Sequence, residues 1–204
     1  MDIENILREK DWESLIRKVL PVTIAVSFSF DKSMEIAGDL LNDSGNAEGD
    51  PAMFMRDYSV NLMIILREKF PQQWKVDWKN EAFLGICCNL VYREEEAFKH
   101  LKNALECFDN PPQSLILTYI RTGGAPNYYL SAEEIVELAH KAVKSGITLE
   151  MAQQMADLAT TQEDWNSWTK KAKEAEANNI HTAVIVPDVL KDNVRTLKDY
   201  PYEK

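Results

Sequence analysis

Signals that begin and end α-helices recur at short intervals along most of the chain. The segment Ser131–Glu134 is a capping box, in which the N-cap serine and the N3 glutamate each accept the other's backbone amide. Thr148 and Thr161 stand at N-cap positions before two later apolar stripes, and Gly146 ends the helix that Ser131 opens. This pattern predicts an all-α fold, either a helical bundle or stacked αα-hairpins, with at most a short strand pair.

The same signals predict about nine helices in a single domain that spans residues 1–204. Residues 22–30 are ambiguous, because their alternation fits a half-buried strand while an i, i+4 stripe after Pro21 favours a helix. Non-helical segments are expected at an acidic loop 42–51, a loop 122–130 and a C-terminal tail 180–204 with a strand-like run, Thr182–Val186. The remaining helices are predicted at about 2–19 (with Asp11 as a second cap), 51–69, 77–92, 93–108, 112–121, 132–144, 149–159, 162–178 and, in the tail, 188–198.

Composition excludes several classes of protein. Hydrophobic residues make up 45% of the 204 residues, which is ordinary for a globular chain and too high for a disordered one. Acidic residues number 33 against 23 basic ones, for a net charge of −10, whereas a nucleic-acid binder normally carries the opposite balance. We therefore expect a globular protein whose partner is not a nucleic acid.

The N-terminus and the cysteines indicate a reducing compartment. Acidic residues begin at Asp2 with no apolar region after a basic start, so we expect no signal peptide. The longest mostly apolar stretch, Pro21–Phe30, has about half the ~20 residues that a membrane span needs. Cys87, Cys88 and Cys107 are odd in number and are expected to be reduced, core-facing thiols. These features predict a cytoplasmic protein that does not bind membranes.

Candidate catalytic and metal-binding groups are sparse. Glu137 and His140 form one E-x-x-H, whereas di-iron helix bundles need two such motifs and two further glutamates. Glu96 and His100 share one helix face, which is more typical of a surface pair than of a ligand pair. We therefore predict no metal, no cofactor and no enzymatic activity, and a bundle enzyme using Glu137 and His140 is a minor alternative.

The acidic residues are unevenly distributed. Residues 1–50 hold 11 acidic and 5 basic residues, and residues 133–164 hold 7 acidic and 2 basic ones. Such acids can complement helix dipoles or improve solubility. They can also form a negative surface that steers and binds a cationic protein. On that second interpretation the partner-binding carboxylates are Asp39, Asp43, Glu48, Asp50, Glu133, Glu134 and Glu137.

Two adjacent tyrosines are a further candidate for partner contact. Tyr128 and Tyr129 follow the turn residues Gly123–Pro126 and precede the capping box, so they belong to a predicted loop. Tyrosine is favoured at protein interfaces, because its ring is a large contact that costs little conformational entropy. We therefore predict that this pair is exposed and contacts a partner.

The overall profile resembles the immunity proteins of bacterial polymorphic-toxin and contact-dependent growth inhibition systems. The resemblance lies in the base-free acidic stretch Gly38–Asp50, the acidic helix start Glu133–Glu137 and the supply of tryptophan and tyrosine, not in a motif. It implies a non-catalytic protein that blocks a cationic, nuclease-type toxin domain. In such proteins carboxylates take the places that substrate phosphates would occupy.

One segment supports an alternative function. Residues 81–106 resemble a single tetratricopeptide repeat, with Gly85, Ala97 and Ala104 at the small packing positions and Leu101 between the two alanines. No second copy occurs at a 34-residue step. An ordinary αα-hairpin would show the same small residues. If the segment is instead part of a repeat array, the protein would be an adaptor or chaperone that binds peptides in a concave groove.

Overall fold

The computed structural model describes residues 2–194 and 201–203, which are almost entirely helical. They divide into two compact units, the first from residues 2–93 and 186–194 and the second from residues 94–185 and 201–203. Within these residues there are twelve α-helices, one 3₁₀ turn and no strand, so the predicted all-α class is confirmed while the predicted count of about nine is too low. The single domain over residues 1–204 stays a prediction.

The first unit is built around one long helix. Helix α5 packs against α2, α3, α4, α6 and α7. The core holds fully buried side chains such as Met34, Leu62 and Leu84. The helices of this unit are α1 (Ile3–Arg8), α2 (Trp12–Lys18), α3 (Pro21–Ser27), α4 (Phe30–Ser44), α5 (Asp50–Lys69), α6 (Pro71–Val76) and α7 (Lys79–Asn89).

Local chemistry explains why this unit has more helices than expected. Asp11 caps α2 by accepting the amide of Ser14, and Lys10 adopts a positive φ of 52°, so the predicted helix 2–19 is split in two. Residues 21–27 are helical with proline in the first turn, but Ser29 then caps a separate helix, α4. Pro71 likewise begins a short helix where none was predicted.

The acidic loop is shorter than predicted. Helix α4 continues to Ser44 and α5 begins at Asp50, so the connection comprises residues 45–49 in place of 42–51. Gly49 has a φ of +65°, a conformation that glycine adopts at little cost, and this lets the chain turn directly into α5. The correction matters because Asp43, predicted in the loop, belongs to helix α4 together with Asp39.

Part of the tail returns to the first unit. Asp188–Leu190 forms a 3₁₀ turn, and Leu190 is fully buried against Gly38, where an added Cβ would lie 2.9 Å from its Cδ2. The buried ammonium of Lys79 lies 2.5 Å from the Asp188 carboxylate. Of the helix predicted over 188–198, only this turn is observed, and residues 195–200 lie outside the described residues.

The second unit is a succession of helices in which each packs against the next. Its core joins α9, α10 and α11 through side chains such as Ile120, Ala142 and Met151. The capping box at Ser131 and the N-caps at Thr148 and Thr161 are confirmed. The helices are α8 (Glu94–Leu105), α9 (Gln113–Gly123), α10 (Ala132–Val143), α11 (Leu149–Asp157) and α12 (Gln162–Ala177).

Three further expectations need correction. Helix α9 runs on to Gly123, so the loop predicted at 122–130 begins at residue 124. The strand-like run Thr182–Val186 forms only an isolated parallel bridge between Val184 and Tyr202. Cys107 is exposed, although Cys87 and Cys88 are buried as expected.

The tetratricopeptide-like segment does not form one packing unit. Helix α7 belongs to the first unit, where it packs on α5 and α6, and α8 belongs to the second, where it packs on α9. Gly85, Ala97, Leu101 and Ala104 are all buried, so the small residues do serve close packing. Gly85 is buried within the first unit, and Ala97, Leu101 and Ala104 are buried within the second.

Candidate partner-binding surfaces

Two of the predicted carboxylates take part in a structural contact. The ammonium of Lys10 lies 3.4 Å from an oxygen of Asp39 and 3.5 Å from one of Asp43. The indole Nε1–H of Trp12, a side chain only 6% exposed, donates to Asp43 over 2.7 Å. Asp39 and Asp43 thus fasten the turn between α1 and α2 to α4, and Lys10 balances one of their two negative charges.

The other two carboxylates of the first block are exposed. Glu48 lies in the loop 45–49 and Asp50 is the first residue of α5. Neither has an ion-pair partner among the described residues. Asp50 lies at the positive end of the α5 dipole, which stabilises a negative charge there. Neither carboxylate is neutralised by a basic side chain of the described residues, so a basic group of a partner can pair with it.

An apolar groove lies beside Asp50, between α2 and the first turns of α5. Its volume is about 530 Å³, and its apolar lining comprises Ile16, Pro51, Phe54 and Met55. Its remaining lining residues are charged: Glu13, Arg17 and Asp50. Phe54 is 57% exposed, which is unusual for a phenylalanine on a packed helix. We call this feature the α2–α5 groove.

Sequence periodicity conceals the exposure of Phe54. Phe54 precedes Tyr58, Leu62 and Leu66 at successive i+4 steps, and those three side chains are buried, so the pattern assigns Phe54 to the core. Each step of four residues rotates a position by about 40° around an α-helix. Over three such steps Phe54 moves off the buried face. Its combination of aromatic side chain and charged neighbours is visible only in the folded chain.

The second acidic block is divided between two roles. The Glu134 carboxylate accepts the Ser131 amide over 2.8 Å, and the Ser131 hydroxyl accepts the Glu134 amide over 3.2 Å. These hydrogen bonds between Ser131 and Glu134 hold the pKa of Glu134 below its ordinary value. Glu134 therefore serves mainly to cap the N-terminus of α10.

Glu133 and Glu137 differ from Glu134. They are exposed, lie one turn apart on α10 and have no ion-pair partner among the described residues. Val136, on the same turn of α10, is 38% exposed. We call Glu133, Val136 and Glu137 the α10 face. It offers two uncompensated carboxylates beside an apolar side chain.

The single E-x-x-H lies at an open, mixed-charge groove. Glu137 and His140 line it together with Asn110, Pro111, Lys141, Lys144 and Ser145. Lys141 donates to the carbonyl of Asp109 over 3.0 Å. Across the described residues, no group of three or more His, Cys, Asp or Glu side chains is placed to hold a metal ion. The groove therefore carries side chains of both charges but no ligand cluster.

The two tyrosines have different environments. Tyr128 is 76% exposed with a positive φ of 56°. Tyr129 is 40% exposed, and its ring centroid lies 5.0 Å from that of Phe98, which stacks on Tyr119 at 4.7 Å. Part of Tyr129 therefore belongs to an aromatic cluster of the second unit, while Tyr128 is open to contact.

A polar network that the sequence did not indicate anchors the tail in the second unit. Glu150 accepts the Thr182 amide over 2.7 Å and lies 2.9 Å from Nδ1 of His181. Burial raises the pKa of Glu150, but these hydrogen bonds outweigh it and hold the pKa below its ordinary value. The partners are more than 30 residues apart, so no local spacing could have revealed them.

Comparison with known proteins adds no assignment. No protein-family model, no curated protein and no solved structure matches the chain. Among the described residues, none of the helices combines the length and the apolar character needed to cross a bilayer.

Proposed function

We propose that the protein is a non-catalytic binding protein, namely an acidic immunity protein that blocks a cationic, nuclease-type toxin domain in the cytoplasm. The observation that carries the proposal is the α10 face. Glu133 and Glu137 are exposed and uncompensated, whereas Asp39 and Asp43 are occupied by Lys10 and Trp12. A pair of free carboxylates one turn apart can meet two cations of a phosphate-binding site.

The physical basis of the proposal is electrostatic substitution. A nuclease cleft lined with lysine and arginine is built for phosphate oxygens, and carboxylate oxygens accept the same charge-assisted hydrogen bonds. The chain's net charge of −10 would raise the rate of encounter with such a cleft. Val136 would add apolar contact to one side of the two carboxylates, where an interface excludes water.

The other predicted residues support the proposal less strongly than Glu133 and Glu137 do. Glu48, Asp50 and Tyr128 are exposed and available for contact. Glu134 and Tyr129 have partners within the second unit. The acidic binding surface that we propose therefore comprises Glu133 and Glu137, with Glu48 and Asp50 as a second, separate acidic site.

The test begins with the partner. An upstream neighbouring gene should encode a large secreted protein with a basic C-terminal domain, and that domain should bind the protein in calorimetry. The double variant Glu133→Lys, Glu137→Lys should weaken binding by at least about tenfold, since a desolvated interface charge pair can cost about 2–5 kcal/mol when one side is lost.

The control makes the same change of charge elsewhere in the second unit. Asp157 and Glu176 are exposed, and the double variant Asp157→Lys, Glu176→Lys should bind within about twofold of the unaltered protein. Equal weakening by both double variants would show that only net charge matters. An upstream neighbour without a basic domain, or a basic domain that does not bind, would contradict the proposed function.

The tetratricopeptide-like adaptor is a second candidate. It is favoured by the way α8 to α12 each pack on the next helix, as in stacked helical repeats. It is weakened because the segment that suggested it is divided between the two units. An adaptor should bind short unfolded peptides from its client as tightly as the folded client, whereas an immunity protein needs the folded toxin domain.

A further inference from the structure

The α2–α5 groove has the composition of a protein-binding hot spot. Its apolar lining includes an exposed aromatic side chain, Phe54, and its charged lining residues are Glu13, Arg17 and Asp50. Interfaces commonly place such an aromatic anchor at their centre and polar groups at their rim. The volume of about 530 Å³ lies within the range of about 300–1,000 Å³ that is typical of binding clefts.

The first unit exposes a further large apolar side chain outside the groove lining. The hydroxyl of Tyr58, one turn after Phe54, donates to the carbonyl of Val19 over 3.0 Å. Leu20, the next residue along the chain, is 69% exposed. The exposed Leu20 therefore directly follows Val19, whose carbonyl is hydrogen-bonded to a side chain of α5. The groove itself runs between two helices and exposes an aromatic side chain, Phe54, which is the kind of site that binds the apolar face of an amphipathic helix.

The charged side chains at the rim of the groove indicate the sign of the charge that an occupant should carry. Glu13 and Arg17 form an ion pair of 3.0 Å across one turn of α2, so they largely cancel each other. Asp50 has no ion-pair partner among the described residues, and neither has Glu48 two residues earlier. The rim therefore keeps a net negative charge at the end where α5 begins, and a positively charged side chain is its complement.

We propose that the α2–α5 groove binds a short basic amphipathic helix of the cationic partner, with an apolar side chain over Phe54 and a lysine or arginine beside Asp50. This inference rests on the proposed function only for the positive charge of the partner. It assigns a docking groove in the first unit, whereas the α10 face belongs to the second.

The experiment uses two fluorescently labelled model peptides of ~14 residues, about four helical turns. One peptide carries leucines on one face and lysines on the other, and its counterpart replaces every lysine with glutamate. The intact protein should bind the lysine peptide saturably in fluorescence anisotropy, and the glutamate peptide at least about tenfold more weakly, a difference of about 1.4 kcal/mol.

The variants identify the groove. Phe54→Ser should weaken binding of the lysine peptide by at least about tenfold, and Asp50→Asn should reduce its dependence on salt. Val76→Ser is the matched control, since Val76 is 86% exposed in the same unit but does not line the groove. This control should bind within about twofold of the unaltered protein.

Three results would overturn the inference. The first is equal binding of the two peptides, and the second is equal binding by Phe54→Ser and Val76→Ser. The third is a concentration-dependent dimer in sedimentation that Phe54→Ser abolishes, which would identify a second copy of the chain as the occupant. None of these results affects the outcome of the binding test with Glu133→Lys, Glu137→Lys. A wrong assignment of the groove can therefore be distinguished from a wrong proposed function.

Discussion

The contact between Asp43 and Trp12 predicts that an acidic residue can be essential for stability and dispensable for binding. In Asp43→Ala, the indole N–H of Trp12 loses a charged acceptor at 2.7 Å, although Trp12 is only 6% exposed. Hydrogen bonds to charged groups contribute about 1.5–3 kcal/mol, and the partly exposed pair with Lys10 adds about 0–1 kcal/mol. We expect a loss of about 2 kcal/mol in the free energy of unfolding.

Urea unfolding followed by circular dichroism at 222 nm measures this loss, and the melting temperature should fall by about 4–8 °C. Glu48→Ala is the matched control, because Glu48 is exposed without an ion-pair partner among the described residues, and it should change stability by less than about 0.5 kcal/mol. A double-mutant cycle with Trp12→Phe should give a coupling of at least about 1 kcal/mol. The reasoning is refuted if Asp43→Ala is as stable as Glu48→Ala.

Three further predictions concern the two units. Leu190→Ala should destabilise the protein by about 2–5 kcal/mol in urea unfolding, because Leu190 is fully buried, and a loss below 1 kcal/mol would mean that the turn does not pack as described. Gly123→Ala should cost about 1–3 kcal/mol, since its Cβ would lie 2.6 Å from Phe98 and 2.7 Å from Leu130; an unchanged urea midpoint would contradict this close approach. Because the folded-state pKa of Glu150 is lowered, its contribution is present above the unfolded pKa of about 4.3 and is lost as pH falls through the folded value. Glu150→Gln should therefore flatten the decline in urea midpoint between pH 5 and pH 3, and an unaltered decline would assign the acid sensitivity to other groups.

Local chemistry made much of the second unit predictable. Ser131, Thr148 and Thr161 all cap helices through their own side chains, and a cap depends only on residues within one turn. The same reasoning missed α6 and the break at Ser29, because short helices joined by one or two residues leave little trace in the apolar spacing. Helix type was therefore predictable, whereas helix number depended on single residues at the junctions.

The candidate site was predictable only in part. Sequence could find every carboxylate, but whether one is free depends on residues far along the chain, as Asp43 and Trp12 show at a separation of 31 positions. The exposure of Phe54 could not be predicted, because Phe54 lies at the same four-residue spacing as Tyr58 and Leu62, which are buried. Charge and periodicity describe a chain locally, whereas exposure is a property of the packed molecule.

The central claim, that uncompensated carboxylates on the α10 face capture a cationic protein, is tested most directly by the salt dependence of association. In stopped-flow fluorescence with the basic C-terminal domain of the neighbouring gene product, the association rate should fall steeply as salt shortens the Debye length towards about 8 Å. Glu133→Lys, Glu137→Lys should associate more slowly and with a clearly shallower salt dependence than Asp157→Lys, Glu176→Lys. An association rate that is insensitive to salt, or one that the α10 variant leaves unchanged at low salt, would contradict the account.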